Sequence, residues 1–436
     1  MEAGIGANPV QGSAVYPIGS RVDEHGHLEI GGCDLVELAA EFGTPAYVYA
    51  EDDLRARARG YVEAFRARTD DFEVIYASKA APVSAIYRLF AEEGLAIDVA
   101  SGGELRLALD AGCDPKRLYL HGNNKTAAEL ELAIETGVGH VIVDSFDEIE
   151  RLEGLLSRPL DVLIRVTPGI KADTHSYIQT GQLDSKFGFG LEDGLAARAI
   201  EAVRGAANLR LVGLHAHIGS QIFELEPYVK TIEALGRLAA DSGLSGEEFG
   251  LLNVGGGLGI AYTAGDEPPS IESYVDVKVE GVRRVFEPMP RILVEPGRSL
   301  VGNAGVTLYE VGTVKEIPGV RTYVAADGGM SDNLRPMLYG ARYEALIANR
   351  AADPADTHVT VAGMHCESSD LIVRDVELAA PRVGDLLVTP ATGAYGHAMA
   401  NNYNGVPRPP VVFCRAGDAR AVVRRETWED LGARDV

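Results

Sequence analysis

Cysteine is scarce in this 436-residue chain: there are four, Cys33, Cys113, Cys366 and Cys414, none in a CxxC pair and none beside histidines at zinc-ligand spacing. That argues against a disulfide framework and a structural zinc site. Basic residues are in deficit. Lys and Arg total 40 against 64 Asp and Glu, a formal net charge of −24. Such a field repels phosphate backbones and anionic lipid, so neither nucleic acid nor a membrane surface is an expected partner. No apolar run approaches the roughly 18 residues of a spanning helix. Residues 1–16 lack the basic start and apolar stretch of a secretory signal. Low-complexity tracts, charge blocks and obvious linkers are missing too. The expectation is a soluble, reduced, cytoplasmic protein of two to three domains, with 46% hydrophobic residues to build its cores.

What is present is an alternation. Short apolar runs, each ending in turn residues, precede helical patterns. The runs fall at 73–77, 95–99, 118–120, 140–143, 161–166, 211–217, 251–254 and 291–294. Eight strands separated by helices, with no long break in composition, predict a (β/α)8 barrel of about 250 residues. An open doubly wound sheet is the alternative. Beyond Val301 the texture changes to strand-like runs at 307–314, 321–326, 358–361, 370–376, 385–389 and 410–414, and 422–426 as a further candidate. These predict a mostly antiparallel β domain. The expected division is a barrel over 45–297 and a β domain over 298–436, with residues 1–44 joining the latter.

Barrels place their chemistry at the C-terminal ends of strands, and several strand ends here carry unusual residues. The first runs into Lys79, readable as a surface lysine or as a Schiff-base nucleophile. The sixth ends in His215-Ala216-His217, whose alternation puts both rings on one side. They read as metal ligands, as core histidines, or as a flat ring over a flat cofactor; no carboxylate of facial-triad spacing accompanies them. The seventh ends in NVGGGLG over 253–259, and the eighth in EPGRS over 295–299. Glycines at that corner suit a phosphate, although each loop alone could be a plain tight turn. Arg298 could be an ordinary surface arginine. Glu295, closing a buried strand, needs a positive partner. A pyridinium nitrogen would serve, so lysine, glycine loops and carboxylate together point to pyridoxal 5'-phosphate.

These motifs carry a resemblance across nearly the whole chain. YASKA at 76–80, HGNNKT at 121–126, DSKFG at 184–188, HAHIGSQ at 215–221, the glycine loop and EPGRS fall in one family's order. So do RPMLYG at 335–340, CESSD at 366–370, GAY at 393–395 and YN at 403–404. The chain resembles the barrel-type pyridoxal-phosphate-dependent decarboxylases of alanine-racemase-like fold, and among them the branch acting on meso-diaminopimelate. One departure is Ala81, where the family's motif often continues Lys-Ala-Asn.

The resemblance implies decarboxylation of meso-2,6-diaminopimelate to L-lysine and carbon dioxide, the last step of lysine biosynthesis. It implies that Lys79 binds the cofactor covalently, Glu295 pairs with its ring nitrogen and His217 stacks on its ring. Ser220, Gly255, Gly256, Gly257, Gly297 and Arg298 would surround the phosphate, with Tyr395 also in contact. Arg298, Arg335, Tyr339 and Glu367, with Tyr395, would hold the substrate, and Cys366 would help protonate the product. The family also implies a homodimer with shared sites, Cys366 and Glu367 reaching the partner's site. No metal is expected. Rival readings are a family decarboxylase acting on ornithine, arginine, carboxynorspermidine or a carrier-bound amino acid, a racemase of related fold, and a pyridoxal-phosphate carrier.

Overall fold

The computed structural model describes residues 10–170 and 185–436. The alternation read from the sequence closes on itself. Eight parallel strands, Phe72–Ala77, Ala96–Val99, Leu118–Leu120, His140–Val143, Leu160–Thr167, Leu209–His215, Leu251–Asn253 and Arg291–Val294, pair in order, and the last returns to the first. The open-sheet alternative is thereby excluded. Short polar caps start the helices that follow. Ser101, Thr126 and Ser145 each accept a hydrogen bond from the backbone N–H three residues on, and Thr126 with Glu129 forms a complete capping box. Each cap satisfies donors a helix start would otherwise leave bare. Inside the barrel, Ile75, Ala96, Tyr119, Ile142, Leu163 and Leu293 form one apolar cluster. Truncating the fully buried Leu163 to Ala would cost about 2–5 kcal/mol.

By density of contacts the chain divides into two compact units. One holds Arg57–Gly259 and Pro268–Ser299, within which lies the barrel. The other holds the described residues up to Ala56, together with Ile260–Glu267 and Leu300–Val436.

The second unit is built on one long strand, Gly305–Ile317. It pairs antiparallel with Arg321–Ala326, Leu386–Thr389 and Ala46–Ala50. Two pairings are parallel, Arg321–Ala326 with Thr357–Ala362 and Val411–Arg415 with Ala46–Ala50, so the sheet is mixed although mostly antiparallel. Ala46–Ala50 (AYVYA) is buried at every position. Without polar–apolar alternation it gave no strand signal, yet it sits between partners 250 and more residues away. The last strand is Asp418–Val423, a few residues before the run expected at 422–426.

Candidate active site

The C-terminal ends of the third, sixth and seventh strands bring three polar residues onto one carboxylate at the end of the eighth. Glu295 is 7% exposed. Asn253 Nδ2 donates to its Oε1 at 2.6 Å, and His215 Nε2 lies 3.0 Å from Oε2 in hydrogen-bond geometry. His121 Nε2, from the end of the third strand, lies 2.9 Å from Oε1 but is not aligned as a donor. Burial pushes the Glu295 carboxyl up, and the contacts of His215 and His121 outweigh it, holding it well below the ordinary range. Burial pushes His215 down to about 4. At neutral pH the His215 imidazole is therefore neutral, and Glu295 is an anion held by donors.

His217 is placed differently from the sequence reading. The sixth strand stops at His215, so His217 lies in the loop beyond. His217 Nδ1 accepts from Gly256 N–H at 3.3 Å, which leaves the proton on Nε2. Among the described residues two trios have ligand atoms within 4.8 Å of one another: His121, His215 and Glu295, and Asp23, His27 and Asp34. The carboxylate that meets His215 is Glu295, a partner 80 residues away that sequence spacing cannot see.

The glycine loop has a steric reason for its composition. A Cβ on Gly256 would lie 2.0 Å from the Glu295 carbonyl oxygen, and one on Gly257 would lie 2.5 Å from that of Gly219, at φ +104°. No side chain fits there, because the loop packs directly on neighbouring backbone. Asn253 Oδ1 accepts from Gly255 N–H at 3.0 Å. Arg298, 5% exposed, donates from Nε and Nη2 to Ser220 Oγ at 3.2 and 3.0 Å. Gly297 is buried against Ala77, where an added Cβ would meet the Ala77 carbonyl at 3.0 Å. Lys79 lies in a short 3-10 turn after the first strand and is exposed. A buried carboxylate with no lysine or arginine ion-paired to it among the described residues, a side-chain-free cradle and an adjacent arginine suit the ring nitrogen and phosphate of pyridoxal phosphate.

The remaining expected residues lie in the second unit. Arg335 opens the short helix Arg335–Tyr339 and is 6% exposed. It donates to the Tyr343 hydroxyl and lies over the Tyr262 ring at 4.7 Å. Among the described residues it pairs with no carboxylate. Tyr339 is half-buried, and Cys366 and Glu367 are exposed. Asn404, at φ +55°, accepts at Oδ1 from Cys366 N–H at 3.1 Å. Tyr395 also adopts a left-handed φ of +63°, strain of about 1 kcal/mol or more that loops often store at working sites. The DSKFG motif is only partly within the described residues: Asp184 lies outside them, while Gly188 N–H donates to Asp144 Oδ1 at 2.8 Å.

Comparison with known proteins agrees with this geometry. Residues 51–302 match the pyridoxal-binding domain of the pyridoxal-dependent decarboxylases. A Bacillus subtilis diaminopimelate decarboxylase is 49% identical over 421 residues, covering 94% of this chain and 96% of its own. The chain belongs to the pyridoxal-dependent decarboxylases, in the diaminopimelate decarboxylase group. An Actinosynnema pretiosum member of the group is 47% identical over 99% of this chain and 98% of its own. The M. jannaschii enzyme, solved in complex with L-lysine, superposes with a TM-score of 0.90 at 35% identity, covering 96% of this chain and 98% of that one. Sequence reasoning quoted His121 and Asn253 only within their motifs and left three readings open for His215; their contacts with Glu295 show only once strand ends converge.

Proposed function

We propose that this enzyme decarboxylates meso-2,6-diaminopimelate to L-lysine and carbon dioxide, acting in the cytoplasm as a homodimer with shared sites. The observation that carries the substrate assignment is the extent of the similarity. It runs at 49% identity over 94% of the chain, beyond the barrel alone.

When bound, pyridoxal phosphate supplies the electron sink for the pair left behind as the carboxylate departs. The chain does the rest. The Lys79 amine would hold the cofactor covalently and would be the group a substrate amine replaces. Glu295, kept anionic by Asn253 and His215, would hold a proton at the ring nitrogen. His217, neutral and fixed by Gly256 N–H, would stack on the cofactor's ring. Ser220, Gly255 to Gly257, Gly297 and Arg298 receive the phosphate. Ser220 Oγ already accepts from Arg298, so its own hydroxyl proton remains for a phosphate oxygen.

At the far end of the substrate, Arg335 receives the retained carboxylate and Glu367 the retained ammonium, with Tyr339 and Tyr395 beside them. A buried guanidinium pairing with no carboxylate of its own suits an anionic ligand. Ornithine has no such carboxylate. Cys366 returns one proton to the carbon that lost carbon dioxide, which completes the balance. The test is carbon dioxide release from meso-diaminopimelate with the product resolved as L-lysine. Preference for ornithine, arginine or carboxynorspermidine would replace the assignment.

A further inference from the structure

Helix Ile271–Val285 contains a lysine with no part in the reading above. Lys278 is fully buried. Its Nζ sits over the rings of Tyr228 at 4.5 Å and Tyr274 at 4.3 Å. It donates to the carbonyl oxygens of Val254 at 2.7 Å and Gly255 at 2.9 Å. The Tyr274 hydroxyl donates to the same Gly255 oxygen at 3.1 Å. Burial pushes the amine's pKa well down, with the charge of Glu295 opposing. A methionine would fill the space without the cost of burying an amine. The position is expensive for packing alone.

A peptide plane carries its N–H opposite its C=O. Gripping the carbonyls of Val254 and Gly255 therefore aims the N–H groups of Gly255 and Gly256 the other way. Those groups meet Asn253 Oδ1 at 3.0 Å and His217 Nδ1 at 3.3 Å. Asn253 in turn holds Glu295 at 2.6 Å. We infer that Lys278 is a positioning residue for the cofactor: through two peptide planes it sets both the carboxylate for the ring nitrogen and the imidazole for the ring face. The inference rests on the cofactor reading above.

The test compares wild type with Lys278→Met. Cofactor is removed, pyridoxal 5'-phosphate is titrated back while visible absorbance is followed, and the bound band is then titrated with pH. The dissociation constant should rise on the order of 10–100-fold, the usual effect of removing a supporting contact. The pH midpoint of the bound band should be displaced, because Glu295 and His217 are no longer held in place. A lysine that merely braced the helix would lower the unfolding temperature and leave that midpoint unmoved. Tyr274→Phe removes only the second donor to Gly255 and keeps the ring. It should displace the midpoint in the same direction by less, and it decides the matter if Lys278→Met does not fold. An unmoved midpoint with unchanged affinity in a loaded variant overturns this inference alone. A wild type that takes up no pyridoxal phosphate removes the cofactor reading and this inference with it.

Discussion

Replacing Arg335 separates stability from function in a way few residues permit. The side chain is 6% exposed, stacks on Tyr262, bonds the Tyr343 hydroxyl, and faces no carboxylate among the described residues. Its charge is thus buried without a partner of opposite sign. Replacing such a cation by Arg335→Met removes a desolvation cost and keeps most of the apolar stem, so stability should hold or rise. Binding should suffer. A hydrogen bond to a charged group contributes about 1.5–3 kcal/mol. If Arg335 holds the retained carboxylate, kcat/KM for meso-diaminopimelate should fall roughly 10- to 150-fold. Arg335→Lys keeps the charge but loses the planar fork, and should fall between Met and wild type. The assays are steady-state carbon dioxide release and thermal unfolding of each holoenzyme. Unchanged kcat/KM in Arg335→Met would refute the carboxylate role. A fall in activity matched by a fall in unfolding temperature would refute the claim that the buried charge serves the substrate rather than the fold.

The other expectations are briefer. Borohydride reduction of the holoenzyme should fix the cofactor on Lys79, and Lys79→Ala should abolish turnover; peptide mapping to another lysine would end that assignment. Mixing inactive Lys79→Ala with inactive Cys366→Ala under verified subunit exchange should restore about half the sites of each heterodimer, by twofold symmetry; no recovery would mean that both residues serve one subunit's site. Gly256→Ala should prevent cofactor uptake, since its Cβ would lie 2.0 Å from the Glu295 carbonyl oxygen; a variant that binds the cofactor normally would contradict the steric argument. Burial raises Asp332, hydrogen-bonded by Tyr309 at 2.6 Å, from 3.8 to about 7. A folded pKa above the unfolded one gives stability that is full below the unfolded value and is lost as pH rises through the folded one. The unfolding temperature should therefore drop from pH 5 towards pH 8 by a component missing in Asp332→Asn, and identical pH profiles would remove that assignment.

The strand ends were legible because a barrel strand and its following loop are contiguous in sequence. Lys79, the glycine loop and Glu295 all stood out as costly residues at the ends of apolar runs. The surroundings of Glu295 were not legible. Asn253 is 42 residues from it and His215 is 80, each at the end of a different strand. The sixth strand ended two residues sooner than its apolar pattern implied, which puts His217 in the loop beyond it. Ala46–Ala50 was missed for a related reason: a strand buried on both faces shows no period of two.

The sequence by itself determined the alternation of strands and helices, the texture of the second unit and the residues with no economical packing role, since propensity, periodicity and turn chemistry act over a few neighbours. Closure of the barrel decided which of those residues meet. It brought His121, Asn253 and His215 onto Glu295, and it set Lys278 behind the glycine loop, 24 residues from Val254. The register of parallel strands is fixed by packing and hydrogen bonding around the whole ring, and no local stretch of sequence carries that information.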